Sequence, residues 1–206
     1  MSDLLSKAIR AAAKGSGWSV KRDILSRRIG DYFLAVHLRR GSKGRIEFRA
    51  KPAAWDHVLW SILQIEGNQT QPVSFRFIGA FTCDSPALLQ HDLELTASHD
   101  EIARYMVQLS GRITHMAEVW QEYDLARAIA DERPQEPYRY HMTRVVERIC
   151  RGDRQTAREI CDAALCGELD LRHTFSSTDK LSPSDANGRR QSLSFFHLAQ
   201  LWISRH

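Results

Sequence analysis

The chain is expected to fold as an α+β protein, with an N-terminal antiparallel sheet, two packing helices, and a C-terminal helical bundle. Three observations lead there. Apolar residues in the first third recur with period two, the period of a half-buried strand. From Asp100 onward they recur at three- and four-residue spacing, the period of a helix face. Finally, 206 residues with 43% hydrophobic and 26% charged content describe a globular chain that can bury a core without disulfide staples. The change of period sets a boundary near residue 98. It separates a strand-rich domain over 1–98 from a helical domain over 99–206.

Each element has a local reason. Ser2 and Asp3 suit a helix start. Leu5, Ile9, Ala12 and Ala13 then recur at helical spacing until Gly15 and Gly17. Trp18, Val20 and the stretch Ile24–Ile29 read as strand, and Gly30-Asp31 as a turn. Tyr32 to Arg40 places Tyr32, Leu34, Val36 and Leu38 on one face, with Phe33, Ala35, His37 and Arg39 on the other. Gly41-Ser42-Lys43-Gly44 has the length of a hairpin loop. Arg45 to Lys51 alternates again: Ile46, Phe48 and Ala50 are expected inward, Arg45, Glu47, Arg49 and Lys51 outward, and Pro52 ends the strand. Residues 53–65 return to helical spacing. Val73 to Phe81 and His91 to Thr96 read as further strands.

In the back half, Ile102, Met106, Leu109, Ile113, Met116, Trp120 and Tyr123 form a heptad seam. A seam at 102–123 suits a long helix packed on its own chain, with a homodimerising coiled coil as the alternative. Pro134 and Pro137 break it. Met142 to Ile149 and Ala157 to Leu165 mark two more helices, the latter capped by Asp153. A polar stretch at 172–190 reads as a long loop. The last helix carries Phe195, Phe196 and Trp202, an apolar surface that must meet either the core or a partner.

Charge is unevenly placed. Residues 1–52 hold 13 Lys and Arg against 4 Asp and Glu, whereas residues 53–206 hold 16 against 21. The basic front gathers on one expected sheet face: Lys21, Arg27, Arg28, His37, Arg39, Arg45, Arg49 and Lys51. Such a face could contact phosphates or an acidic protein. Glu47 interrupts it, and few aromatic residues stand by for base stacking.

Motifs for catalysis are missing. Asp56-His57, His91-Asp92 and His99-Asp100 juxtapose a base and a carboxylate in sequence, but adjacent residues diverge on a helix or strand. No Gly-x-Ser-x-Gly elbow supplies a nucleophile. No Walker loop or Gly-x-Gly-x-x-Gly is present, so no nucleotide cofactor is expected. Arg112, His115, Glu118 and Glu122 share a helix face as an ion-pair stripe. Cys83, Cys150, Cys161 and Cys166 form no C-x-x-C pair, so no metal is expected; the last three are expected in the core. The first residues lack a signal-peptide pattern, and no run of about 18 apolar residues occurs. A cytoplasmic protein without a membrane segment is therefore expected.

Residues 4–80 resemble a family of uncharacterised bacterial α+β domains. The likeness rests on Gly17-Trp18, Arg27 or Arg28, Gly30-Asp31 and Val36-His37-Leu38 after a short first helix. That family is similar to toxin-neutralising immunity proteins and defence-associated accessory proteins, which implies a protein partner and no catalysis. No resemblance extends over 100–206. The expected function is a non-catalytic macromolecule-binding protein with a protein partner. A nucleic-acid-binding module using the basic face is the alternative, and an enzyme of unrecognised type the second alternative.

Overall fold

Short connections between the first four alternating strands pair each with its sequence neighbour, and a fifth strand joins after residues 53–86. The computed structural model describes residues 2–39, 44–79, 81–93, 96–119, 140–171, 176–177 and 193–206. In it, β1 (Ser19–Lys21), β2 (Ile24–Ile29), β3 (Tyr32–Arg39), β4 (Arg45–Pro52) and β5 (Ala87–Asp92) form one antiparallel sheet in the order β1-β2-β3-β4-β5. The predicted Gly30-Asp31 turn joins β2 to β3. Gly30 has φ +54, a backbone that glycine adopts without a Cβ penalty. The hairpin loop read at Gly41-Ser42-Lys43 lies outside the described residues.

The chain divides into two compact units: 1–53, 72–79 and 85–128 in the first, 54–71, 80–84 and 129–206 in the second. Contacts therefore do not part at the 98/99 boundary read from the sequence.

In the first unit, one sheet face is covered by α1 (Ser2–Ala12) and α4 (His99–Val119). Leu5 and Ile9 of α1 join Ile102, Met106, Leu109 and Ile113 of α4 over Leu25, Leu34, Val36, Ile46, Phe48 and Ala50. Each fully buried aliphatic or Phe side chain contributes about 1.5–3 kcal/mol. The Trp18 indole Nε1 donates to Thr114 Oγ1 at 3.2 Å and ties β1's approach to α4. The first four positions of the heptad seam thus belong to this core and are not open to a second copy. Of the remaining three, Trp120 and Tyr123 lie outside the described residues, as does the Met116 side chain.

The expected strand at 73–81 is corrected. Residues Phe75–Ile78 form a short helix, α3. Phe75 N–H donates to the Pro72 carbonyl at 2.9 Å, Arg76 N–H to Val73 at 3.0 Å and Gly79 N–H to Phe75 at 2.7 Å. Phe75-Arg76-Phe77 alternates, but over so few residues alternation does not separate strand from helical turn.

The second unit holds α2 (Ala53–Leu63, its first residue still in the first unit), α5 (His141–Cys150), α6 (Arg154–Leu165) and α7 (Phe195–Arg205). Asp153 caps α6 as expected, accepting from the Thr156 N–H at 3.2 Å. Trp60 Nε1 donates to the Phe81 carbonyl at 2.6 Å, Cys83 N–H to Asp56 Oδ1 at 2.8 Å and Thr143 Oγ1 to the Asp84 carbonyl at 3.0 Å, which pins residues 81–84 among the helices. Of the polar stretch at 172–190, only Ser176 and Ser177 are described. They form β6 and pair with β7 (Leu193–Ser194).

Candidate functional site

The uncovered-looking face of the sheet is assembled by strict cross-strand register. Lys21, Ile24, His37, Glu47 and Gln90 form one row across all five strands. Arg39, Arg45 and Asp92 form the next row, and Arg28, Phe33 and Lys51 another. Arg27 pairs with Leu34 on the helix-covered side, where its guanidinium passes Gly17. It does not join the basic face.

That face is not the solvated basic surface expected of Arg45, Glu47, Arg49 and Lys51. Its middle is covered on β4, while both ends stay open. Glu47 and Lys51 are completely buried and Arg49 is nearly so, whereas the side chains of Arg28, Arg39 and Arg45 remain 57%, 48% and 42% exposed. Two things cover the middle. α3 lays Arg76 against the Phe33 ring at 4.5 Å and Phe77 beneath Lys51 Nζ at 5.3 Å. The Ser85 carbonyl accepts from Arg49 Nη1 at 3.3 Å. Arg28 also sits 5.7 Å from the Phe33 ring. Such cation–ring contacts let basic side chains enter an apolar layer.

Glu47 is the centre of this layer. Arg49 donates to its Oε2 through Nε at 3.0 Å and Nη2 at 2.7 Å. His37 Nε2 lies 3.4 Å from the same oxygen, and Arg39 Nη1 3.6 Å from Oε1. Burial by itself would raise the pKa of this carboxyl. The hydrogen bond from His37 and the charge and hydrogen bonds of Arg49 outweigh it and hold the group well below the usual carboxylate range. Glu47 is therefore an anion at any ordinary pH, and the cations around it are its counterions. A lone acid amid alternating basic residues was the sequence signal for this role, there read only as an interruption.

The open end near β5 is differently built. Arg45 Nε donates to Asp92 Oδ1 at 2.6 Å and Nη1 to Gln90 Oε1 at 2.9 Å. Arg45 is thus fixed while still exposed, with Arg39 opposite it and His37 one row below. The sequence points to Asp92 only as the neighbour of His91 and does not point to Gln90, because its pattern puts the strand at 91–96 instead of Ala87–Asp92.

The remaining candidates separate. His91 stacks on Tyr105 with centroids 4.2 Å apart, while Asp92 is held by Arg45. Asp56 receives the Cys83 N–H, and the His57 ring lies 6.2 Å from Trp60. His99 opens α4. The side chains of His115 and Glu118, and all of Glu122, lie outside what is described.

Within the second unit, Phe195 and Phe196 are completely buried, and Trp202 donates its Nε1 to Ser61 Oγ at 3.0 Å. The apolar C-terminal helix is core. Its outer side borders a groove of about 510 Å³ against α6, lined by Arg158, Asp162, Leu193, His197, Gln200 and Leu201. Gln200 donates to Asp162 across it. Cys83 and Cys161 are buried, but Cys150 and Cys166 are exposed, contrary to the expectation of three core thiols on the helices. Both stand at helix ends, Cys150 as the last residue of α5 and Cys166 just beyond α6. Burial pushes the Cys161 thiol up to about 12.

Among the described residues, no cluster of three or more His, Cys, Asp or Glu could hold a metal ion. Likewise, no helix among them is long and apolar enough to cross a membrane. No family model, curated protein or solved structure matches the chain.

Proposed function

We propose that this chain is a non-catalytic binding protein, and that the open end of its sheet meets a protein partner. The observation that carries the reading is the fixed, exposed Arg45, held between Asp92 and Gln90 beside Arg39. An immobilised guanidinium loses little side-chain entropy on binding, and Arg is enriched where partners dock. The neighbourhood mixes Arg, His, Gln and Asp, so it offers donors and acceptors together. That favours a protein over nucleic acid, whose phosphates call for unneutralised cations in a row. Arg39 and Arg45 each face a carboxylate already.

The nucleic-acid reading keeps one observation in its favour, since Lys21 lies in the same sheet face with its side chain exposed. One experiment separates the two. The purified protein is used as bait in an extract of the source cells, with and without nuclease. The Arg39→Gln/Arg45→Gln double variant runs beside it, its fold checked by circular dichroism. A stoichiometric protein that survives nuclease and is lost with the folded variant supports the proposal. Capture that depends on nucleic acid moves the weight to the alternative. Unchanged capture by the variant excludes this end of the sheet.

A further inference from the structure

The groove between α6 and α7 is lined, among the described residues, wholly from within the second unit. Helical period sets its lining. Arg158 and Asp162 stand one turn apart on α6. The neighbouring stripe of α6, with Ala157, Cys161 and Ala164, is buried, so the two charges stand at its rim. On α7, His197, Gln200, Leu201 and Ser204 recur at three- and four-residue spacing and share one helix face. Half-buried Leu193 and Leu201 supply an apolar wall. The volume of about 510 Å³ falls in the range of roughly 300–1,000 Å³ that small-molecule clefts occupy.

The two charges of α6 do not neutralise each other. Opposite charges at i and i+4 commonly pair along a helix. Asp162 instead turns to α7, where its Oδ1 accepts from Gln200 Nε2. Among the described residues, no carboxylate lies within ion-pair distance of Arg158. The second oxygen of Asp162 accepts no hydrogen bond from any of them. The groove thus presents an unpaired cation, an anion fixed from across the groove one turn away, and an apolar wall.

We propose that this groove binds a small zwitterion with an apolar body, of the class of the free aliphatic amino acids. Its carboxylate pairs with Arg158, whose planar guanidinium matches a carboxylate. Its ammonium donates to the open oxygen of Asp162, and its side chain covers Leu193 and Leu201. One turn of helix rises about 5.4 Å. A carboxylate–ammonium unit with a hydrogen bond of about 2.9 Å at each end reaches across that span. A simple anion would meet Asp162 and a simple cation would meet Arg158, so a ligand carrying both charges is favoured over either. The site uses no residue of the sheet and goes beyond the protein-binding reading.

The test is isothermal titration calorimetry of the intact chain with free leucine. Two analogues accompany it: isocaproate, which lacks the ammonium, and isoamylamine, which lacks the carboxylate. Leucine is expected to bind at least about tenfold tighter than either. Arg158→Gln should weaken leucine about tenfold or more and erase its advantage over isoamylamine. Asp162→Asn keeps an acceptor for Gln200, and it should erase the advantage over isocaproate instead. Both residues are exposed, and circular dichroism checks that the variants fold. Lys7→Gln, an exposed change on α1 in the first unit, should bind leucine like wild type. Wild type that does not bind leucine, an analogue that binds as tightly, or folded Arg158→Gln and Asp162→Asn that keep wild-type affinity would overturn the site. So would a loss with Lys7→Gln as large as theirs. None of these outcomes bears on the bait experiment, which reads the sheet.

Discussion

At the scale of single residues, Glu47 decides how the sheet can be both basic and buried. A carboxylate taken out of water is stable only with close cations and hydrogen-bond donors; Arg49 and Arg39 supply the charge, and a His37 ring nitrogen lies at 3.4 Å. Breaking such a pair from one side leaves a buried charge without its counterion. Glu47→Gln should therefore destabilise the fold by about 3–5 kcal/mol, read as a shift of the urea midpoint. A change under about 1 kcal/mol would mean that the cluster is solvated and contributes no more than a surface pair. The same carboxylate sets a pH dependence. Its folded pKa is depressed, so the unfolded chain takes up the proton first as pH falls. The stabilisation is complete above about pH 4.3, the ordinary glutamate value, and drains away below it. Wild type should lose stability more steeply than Glu47→Gln across that acid range. Parallel pH profiles for the two proteins would contradict the assignment.

At the scale of elements, α7 makes the clearest contrast between a docking surface and a core. Phe195 and Phe196 meet edge to face at 5.3 Å and are completely buried. Phe196→Ala should cost about 3–5 kcal/mol of stability, measured by thermal or urea unfolding. A variant of unchanged stability would return this helix to the list of partner surfaces. The sequence showed that the helix needed cover, but apolar periodicity does not name what provides it. The same limit explains β4. Alternation told correctly that Arg45, Glu47, Arg49 and Lys51 share a face with His37 and Arg39. It could not tell that α3 and the Ser85 carbonyl lie over the middle of that face, because α3 is only four residues long. Strands β1 to β4 were legible because turn residues and clean alternation agree. β5 was not, since Ala87-Leu88-Leu89-Gln90 lacks alternation and a register shift falls between Phe48 and Arg49 of its partner. Arg27 misled for a different reason: it falls in the helix-covered register, and a long side chain lets a charge leave a buried face at the rim.

At the scale of the whole molecule, the chain does not complete one unit before starting the other. It leaves the first at residue 53, the end of its central strand layer, and returns to supply 72–79 and again from residue 85 with β5 and α4. Segments of the second unit are therefore loops of the first, and closing either unit fixes the ends of segments belonging to the other. The loop-closure entropy of ordering them is shared, which favours a single cooperative transition. The cysteines make this measurable, since Cys83 and Cys161 are buried in the second unit while Glu47 lies in the first. Native protein should react with a thiol reagent first at Cys166 and more slowly at Cys150, whose thiol burial pushes up to about 11. Cys83 and Cys161 should react only on unfolding. The urea midpoint read from trapping of Cys161 should coincide with that read from far-ultraviolet circular dichroism, and Glu47→Gln should lower both together. If Cys161 keeps its wild-type midpoint while the dichroism splits into two steps, the units unfold separately, and the interleaved chain does not couple them.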